Sequence, residues 1–472
     1  MTTPPPIPAD RLVPPPGCPA HGMAPNGLRR LAEITDPARA YEELRQEHGP
    51  VAPVLLHGDI PAWIVLGYRE NLEVMRTPLV FSRDSRRWNA FLEGRVPADS
   101  PFLPMVAWQP MCVFADGAEH ARLRGAVVDG LAQFNRRGMR RYVTHYTREL
   151  VAGFKADGTA DLVRDYAEPL PMLVVSRLLG MTPDKGPLLV EPTLDLLRGS
   201  ETAAASNAAV TQVLQDLVAH KMTAPGNDLA SSLILHESRL TDTEIVEHLR
   251  MTLVAAHQGT VNLIAQTLRL ILTDRRFRGS LSGGRMTLPD ALEQVMWDNP
   301  SISVVPGRWA TDDTKLGGQH IRKGDLLLLG IAAANVDPEQ RPDLSVPMHG
   351  NRSHLALSAG PHECPCGDIG RAIADTGIDE LMALLPDVRL AIPETEIGIT
   401  ADWLTRRPSA LPVQFTWPRS IGSQPVPPAP AAAQPLPEAA QPLPVAAREA
   451  PGSVTAAASE PPRSWWRSLL NR

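Results

Sequence analysis

The chain is short of aromatic residues (5%), has four cysteines in 472 positions, and contains no unbroken apolar run of about 18 residues. Without such a run no helix spans a membrane. Two of the four cysteines share one loop, which is no disulfide framework and suits a reducing cytosol. The N-terminus, MTTPPPIPADRLVPPPG, lacks the basic-then-apolar order of a secretory signal. A net charge of −6 with no concentrated basic face excludes nucleic acid as an expected partner. These absences point to a cytoplasmic protein. What is abundant is proline, at 48 residues about twice the usual ~5% share. Much of it lies at the ends, setting off a Pro-rich arm (1–27) and a Pro/Ala-rich segment (419–472) from a domain at 28–418. A hydrophobic fraction of 43% is enough for one large core there.

Within 28–418 helical periodicity dominates. DPARAYEELRQEHGP opens on Asp-Pro and stops at Gly-Pro, as a short helix does. VAPVLL and AWIVLG, split by Gly58-Asp59, read as a β-hairpin, and RENLEVMRTP as the next helix. Residues 86–113 have little periodicity and read as a long functional loop. The longest helical pattern runs from Thr241 to Leu272, about 45 Å, with Thr241 and Glu244 at capping-box spacing. TLPDALEQVMWDNP is another helix capped by Thr287, and DLLLLG a buried strand. The fold class is mainly α with a small β region, in a single large domain.

One stretch concentrates the chemistry: LSAGPHECPCGDIGR, Leu357 to Arg371. Gly360 lies four residues before Cys364, His362 two before it, and Arg371 seven after it. Glycine lets backbone pass close to a flat ligand. Histidine can donate to an acidic group on that ligand. A helix starting near Cys366 would favour a thiolate at its N-terminal end. Two plainer readings stay open: zinc held by Cys364, Cys366, His362 and His354, or two inert buried thiols. Elsewhere, His120 and Arg124 stand four apart on one helix face, as an ordinary solvated pair also would. His257-Gln258-Gly259-Thr260 breaks the apolar stripe of the longest helix, as a distortion around glycine would.

The loop resembles the haem-binding loop of the cytochrome P450 family, F-G-x-G-x-H-x-C-x-G with an arginine seven residues past the cysteine. Gly360, His362, Cys364 and Arg371 match; Leu357, Ser358 and Cys366 stand where the aromatic and two glycines are expected. The resemblance extends over roughly residues 28–418 in the right order and implies a cytochrome P450 fold holding haem b (iron protoporphyrin IX). It makes Cys364 the axial ligand of iron, whose thiolate favours O–O cleavage. His120, Arg124 (the family's H-x-x-x-R), Arg308 and His362 would hold the propionates, with Gly360 beside the ring. The family's A-G-x-[DE]-T places Gln258 at the acid and Gly259 at the threonine. Thr260 falls one residue late, about 100° around the helix. With Gln258 and ordered water, Thr260 would replace the usual proton path.

The family's E-x-x-R pair has no counterpart within the helix. Aligned on Pro300, the two positions are Gln294 and Trp297; taken from Glu293, the partner is Met296. That EQV-hydrophobe-W form resembles an actinobacterial branch lacking the pair. Val304 and Val305 would face the pocket.

The implied activity is a monooxygenase that inserts one oxygen atom of O2 into a small apolar substrate. Its electrons would come from a separate ferredoxin or ferredoxin-reductase type donor. The alternative is a haem-binding interaction or sensor protein. It would be tethered through RSWWRSLLNR (463–472), basic and Trp/Leu-rich, to a protein partner or the inner face of the membrane.

Overall fold

In the computed structural model, residues 27–417 are described, apart from 98–99, 101, 135, 183, 187, 191, 194–202, 349 and 402. The Pro-rich arm up to residue 26 and the segment 419–472, with its basic terminal peptide, lie outside the described residues. Asp36 accepts a hydrogen bond from the Arg39 N–H and Pro37 takes the first helical place, which starts α1 (Pro37–His48).

The hairpin follows as expected: β2 (Val51–Leu56) pairs antiparallel with β3 (Ile60–Val65) through Gly58 and Asp59, both at positive φ. Strand β1 (Arg29–Arg30) flanks β2. Chain-distant strands complete a six-stranded sheet: β4 (Phe81–Ser82), β5 (Val305–Ala310) and β6 (Leu326–Leu329), in the order β1-β2-β3-β6-β5-β4. Alternation along the strands divides their side chains between two cores. Ala52, Val54, Ile64, Leu326 and Leu328 pack on one face, while Val51, Trp63, Val65, Leu327 and Leu329 pack on the other.

The helical part begins with α2 (Tyr68–Arg76), α3 (Gly117–Ala132), α4 (Arg136–Phe154), α5 (Pro169–Leu179), α6 (Ala203–Thr223) and α7 (Leu229–Leu235). It continues with α8 (Asp242–Thr273), α9 (Leu288–Asp298) and α10 (Gly367–Leu384). The Thr241–Glu244 capping box starts α8, and a Thr287–Asp290 box starts α9, so both termini form where the sequence sets them. Helix α8 packs against α5, α6, α9 and α10, and α10 also lies along α4. Their apolar faces make the largest core, with Leu249, Leu253, Ile264, Leu268, Ile373 and Leu381 fully buried.

The loop expected at 86–113 holds two single helical turns, Asn89–Leu92 and Leu103–Val106. Trp88 and Phe102 meet edge to face at 5.8 Å and anchor it in the sheet-side core. No helix among the described residues is long and apolar enough to cross a membrane.

Candidate haem-binding site

The segment before α10 holds two single 3-10 turns, and short local bonds give it shape. A turn at Leu355–Leu357 leads to Ser358 at φ 63°, then to a second turn at Gly360–His362. The Cys364 N–H donates to the Leu357 carbonyl at 2.8 Å, closing the loop on itself. Gly360 sits at φ +70°, and a Cβ there would lie 2.7 Å from the Met75 carbonyl oxygen. The close approach that needs glycine is therefore to the end of α2. Cys366 caps α10, which begins at Gly367.

The two cysteines of the loop have different surroundings. Cys366 packs against the main helical core. Cys364 is exposed by accessible surface, yet protein encloses its sulfur enough that burial pushes its thiol up. The Cys366 amide, Arg124 and Arg371 counter the shift and favour the thiolate.

Beside this loop His120, His362 and Arg308 converge, with the Asp116 carboxylate as their one anionic neighbour. His120 on α3 and His362 lie with ring centroids 4.1 Å apart, and neither Nε2 has a well-formed hydrogen bond. The His362 Nε2 comes only to 3.5 Å from Asp116. Between β5 and β6 the register shifts at Gly307 (φ +97°), and this bulge turns Arg308 inward. Arg308 is 3% exposed and donates only a long 3.3 Å bond to the Gly307 carbonyl. Burial first, and neighbouring Arg83 second, pull its pKa well down. A buried guanidinium without a carboxylate is costly, so this cluster is incomplete as it stands. The two propionates of haem supply the missing charge, so the residues fit the group. Arg124 is committed differently: its Nη2 donates to the Glu363 carbonyl at 2.6 Å, next to Cys364.

Two residues that sequence reading missed belong to this corner. Arg83 is partly buried and donates to the carbonyls of Val113, Pro306 and Gly307 (2.8, 2.9 and 2.5 Å), with its pKa lowered to about 10 by burial of the guanidinium. Asp116 accepts from the Ser82 hydroxyl (2.5 Å) and the Arg83 N–H (3.0 Å). The only local signal was a charged residue after a strand and another before a helix, and such residues are usually solvated.

On α8 the break in the apolar stripe resolves into two faces. Ala255 is exposed in mid-helix, and a Cβ on Gly259 one turn later would meet nothing within 4 Å. Ala255 and Gly259 therefore border an open volume. Thr260 is 3% exposed, and its Oγ1 lies 3.2 Å from where a Gly370 Cβ would stand. Its hydroxyl is packed on α10, away from the open side at Ala255 and Gly259. Gln258 is partly buried. His257 is fully buried, with Nε2 2.9 Å from the Glu168 carbonyl oxygen. Val304, expected at the pocket, is buried in the sheet-side core instead.

The residues suggested for zinc are engaged separately. His354 is bound to Glu293 (2.8 Å) and His362 packs at a tilt against His120. Among the described residues no group of three or more His, Cys, Asp or Glu side chains is placed to hold a metal ion. The buried carboxylate of α9 is Glu293, the second of the two placements the sequence allows. Gln294 bonds Met348 N–H and Asp298, and Trp297 donates to the Asn351 carbonyl.

No family model matches the sequence. Individual proteins do. The chain is 27% identical over 382 residues to the 2-hydroxy-5-methyl-1-naphthoate 7-hydroxylase of Streptomyces carzinostaticus, covering 78% of this chain and 93% of that one. It is 29% identical over 395 residues to the vitamin D(3) 25-hydroxylase of Pseudonocardia autotrophica, covering 82% and 95%. Among solved structures, CYP154A1 from Streptomyces coelicolor A3(2) superposes with a TM-score of 0.72 at 27% identity, over 82% of this chain and 100% of that one. The testosterone-bound CYP154C4 of Streptomyces sp. ATCC 11861 gives 0.76 at 26%, over 83% and 99%. These relatives are named as hydroxylases and cytochromes P450, which favours the enzymatic reading over a haem-bearing sensor. With Cys364 in the loop before α10, a cluster short of negative charge beside it and likeness to these proteins over 78–83% of its length, the chain belongs to the cytochrome P450 family of haem-thiolate monooxygenases.

Proposed function

We propose that this chain hydroxylates a small apolar substrate, with Cys364 as the axial ligand of haem b and His120, Arg308 and His362 on its propionates. When bound, the haem supplies the activation of dioxygen. The observation that carries the reading is the cluster of His120, His362 and buried Arg308, which has the Asp116 carboxylate alone as its anion and lies beside the Cys364 loop. Arg124 steadies the loop through Glu363 and adds positive charge near the sulfur. Ala255 and Gly259 give the open volume a small, apolar wall that suits an apolar substrate. That wall offers no acid or alcohol, so protons would reach the reaction through water or through the substrate itself.

Electrons come from a separate ferredoxin-type donor, and the protein works in the cytoplasm. The segment 463–472 provides contact with a partner or a membrane surface. The test is purified protein with a surrogate ferredoxin and reductase. A strongly red-shifted Soret band in the ferrous carbonyl complex, and hydroxylated product from a panel of apolar substrates, are expected. A colourless protein would overturn the haem assignment, and peroxide alone across the whole panel would overturn the monooxygenation.

A further inference from the structure

The E-x-x-R pattern keeps a carboxylate and a guanidinium on one helix, three residues apart. In this chain the carboxylate is present and its helical partner is not. Glu293 is 3% exposed on α9, and the i+3 position is Met296, itself buried and apolar. A lone buried carboxylate is unstable, so cations must come from elsewhere. They come from both flanks of the thiolate loop. Arg371 on α10 donates through Nε at 2.7 Å to one Glu293 oxygen and through Nη2 at 3.2 Å to the other. His354 donates through Nε2 at 2.8 Å, and Arg352 approaches to 3.4 Å. Arg371 stands seven residues after Cys364, and His354 ten before it.

We propose that Glu293 and Arg371 form the positioning pair that seats the Cys364 loop, replacing in trans the pair absent from α9. The inference rests on the reading of Cys364 as the haem ligand. One carboxylate grips both arms of a segment that is held on its own only by two single 3-10 turns and one local bond between His354 and Cys366. A guanidinium fork that meets two carboxylate oxygens fixes orientation as well as distance. The direction of α10 at its first turn, and with it the place of the sulfur two residues upstream of its cap, is set from α9. The surroundings hold Glu293 still. Trp297 meets the His354 ring edge to face at 6.0 Å and donates to the Asn351 carbonyl. Asn335 bridges the Met296 carbonyl and the Leu355 N–H at 2.9 Å each. Arg371 is committed to Glu293, so its role is positioning.

Arg371→Met in the full-length holoprotein tests this, with Arg140→Met as a control at the exposed Arg140–Asp379 pair. The expected result is an unchanged helical circular dichroism spectrum and haem affinity weakened about tenfold or more, as for loss of an outer-shell partner. A growing share of the ferrous carbonyl complex should absorb at the shorter wavelength of a lost thiolate bond. Wild-type affinity with an intact red-shifted band would overturn the proposal. If Arg371→Met does not accumulate folded, Arg371→Lys decides. Its single ammonium cannot make the two-pronged contact, so the thiolate share should fall below wild type, and a wild-type share would overturn it. Cys364→Ser separates the two readings. If that variant keeps the red-shifted band the haem ligation itself is wrong; if it loses the band while Arg371→Met keeps it, only the positioning pair is wrong.

Discussion

Replacing Arg308 with methionine should move the protein in opposite directions with and without haem. Without haem the guanidinium is buried at 3% exposure, has one long bond to a carbonyl, and sits near a second, partly buried cation, Arg83. Exchanging such a charge for an apolar side chain of similar length removes a desolvation penalty. On the evidence of buried ion groups replaced by hydrophobes, that is neutral or stabilises by about 1–4 kcal/mol. With haem the proposed partner of the same side chain is a propionate, and a charge-assisted hydrogen bond would contribute about 1.5–3 kcal/mol. At 1.36 kcal/mol per decade, its loss weakens haem binding roughly 10- to 150-fold. The assays are urea denaturation of the haem-free protein and haem titration followed by Soret absorbance. A midpoint that is unchanged or raised in the first and a weaker dissociation constant in the second are expected. Unchanged haem affinity, or an equal loss of stability in both forms, would refute the assignment of Arg308 to a propionate.

Thr260→Ala should leave the ratio of product to peroxide unchanged, because the hydroxyl is packed against α10, and should cost only about 0.5–1.5 kcal/mol of stability. Gly259→Thr, which places a hydroxyl on the open face, should change that ratio; the opposite pattern between the two variants would put the proton path back at Thr260. Burial lowers the His257 pKa from 6.5 to about 4, so the unfolded chain binds a proton there before the folded one does. This contribution to stability is complete above about pH 6.5 and is lost as the pH falls from there towards 4. Urea midpoints measured across that window should fall with acid more steeply in the wild type than in His257→Gln, and parallel curves would remove His257 as the cause.

The features that were legible in the sequence are those that depend on near neighbours. Thr241 with Glu244 and Asp36 with Pro37 mark helix starts because a cap is satisfied within three residues. The hairpin was readable because Gly58 and Asp59 permit the turn and the flanking alternation fits a pleat. The spacing of Gly360, His362 and Cys364 carried the candidate ligand loop for the same reason. Contacts across the chain left no such trace. Glu293 meets Arg371 from 78 positions away, and alignment alone placed the acid equally well at Gln294. Gly360 reads as a residue that clears a flat ligand, yet the backbone pressing on it comes from α2.

The sequence by itself determined the helix and strand content, the loop that carries Cys364, and the basic and imidazole groups that flank it, because each is written in residue type and local spacing. Only the tertiary structure decided which of those groups stay unpaired, which face Thr260 turns to α10, and which cation answers Glu293. Those outcomes depend on desolvation and on side chains from distant elements meeting in one buried place. Neither spacing nor composition encodes that meeting.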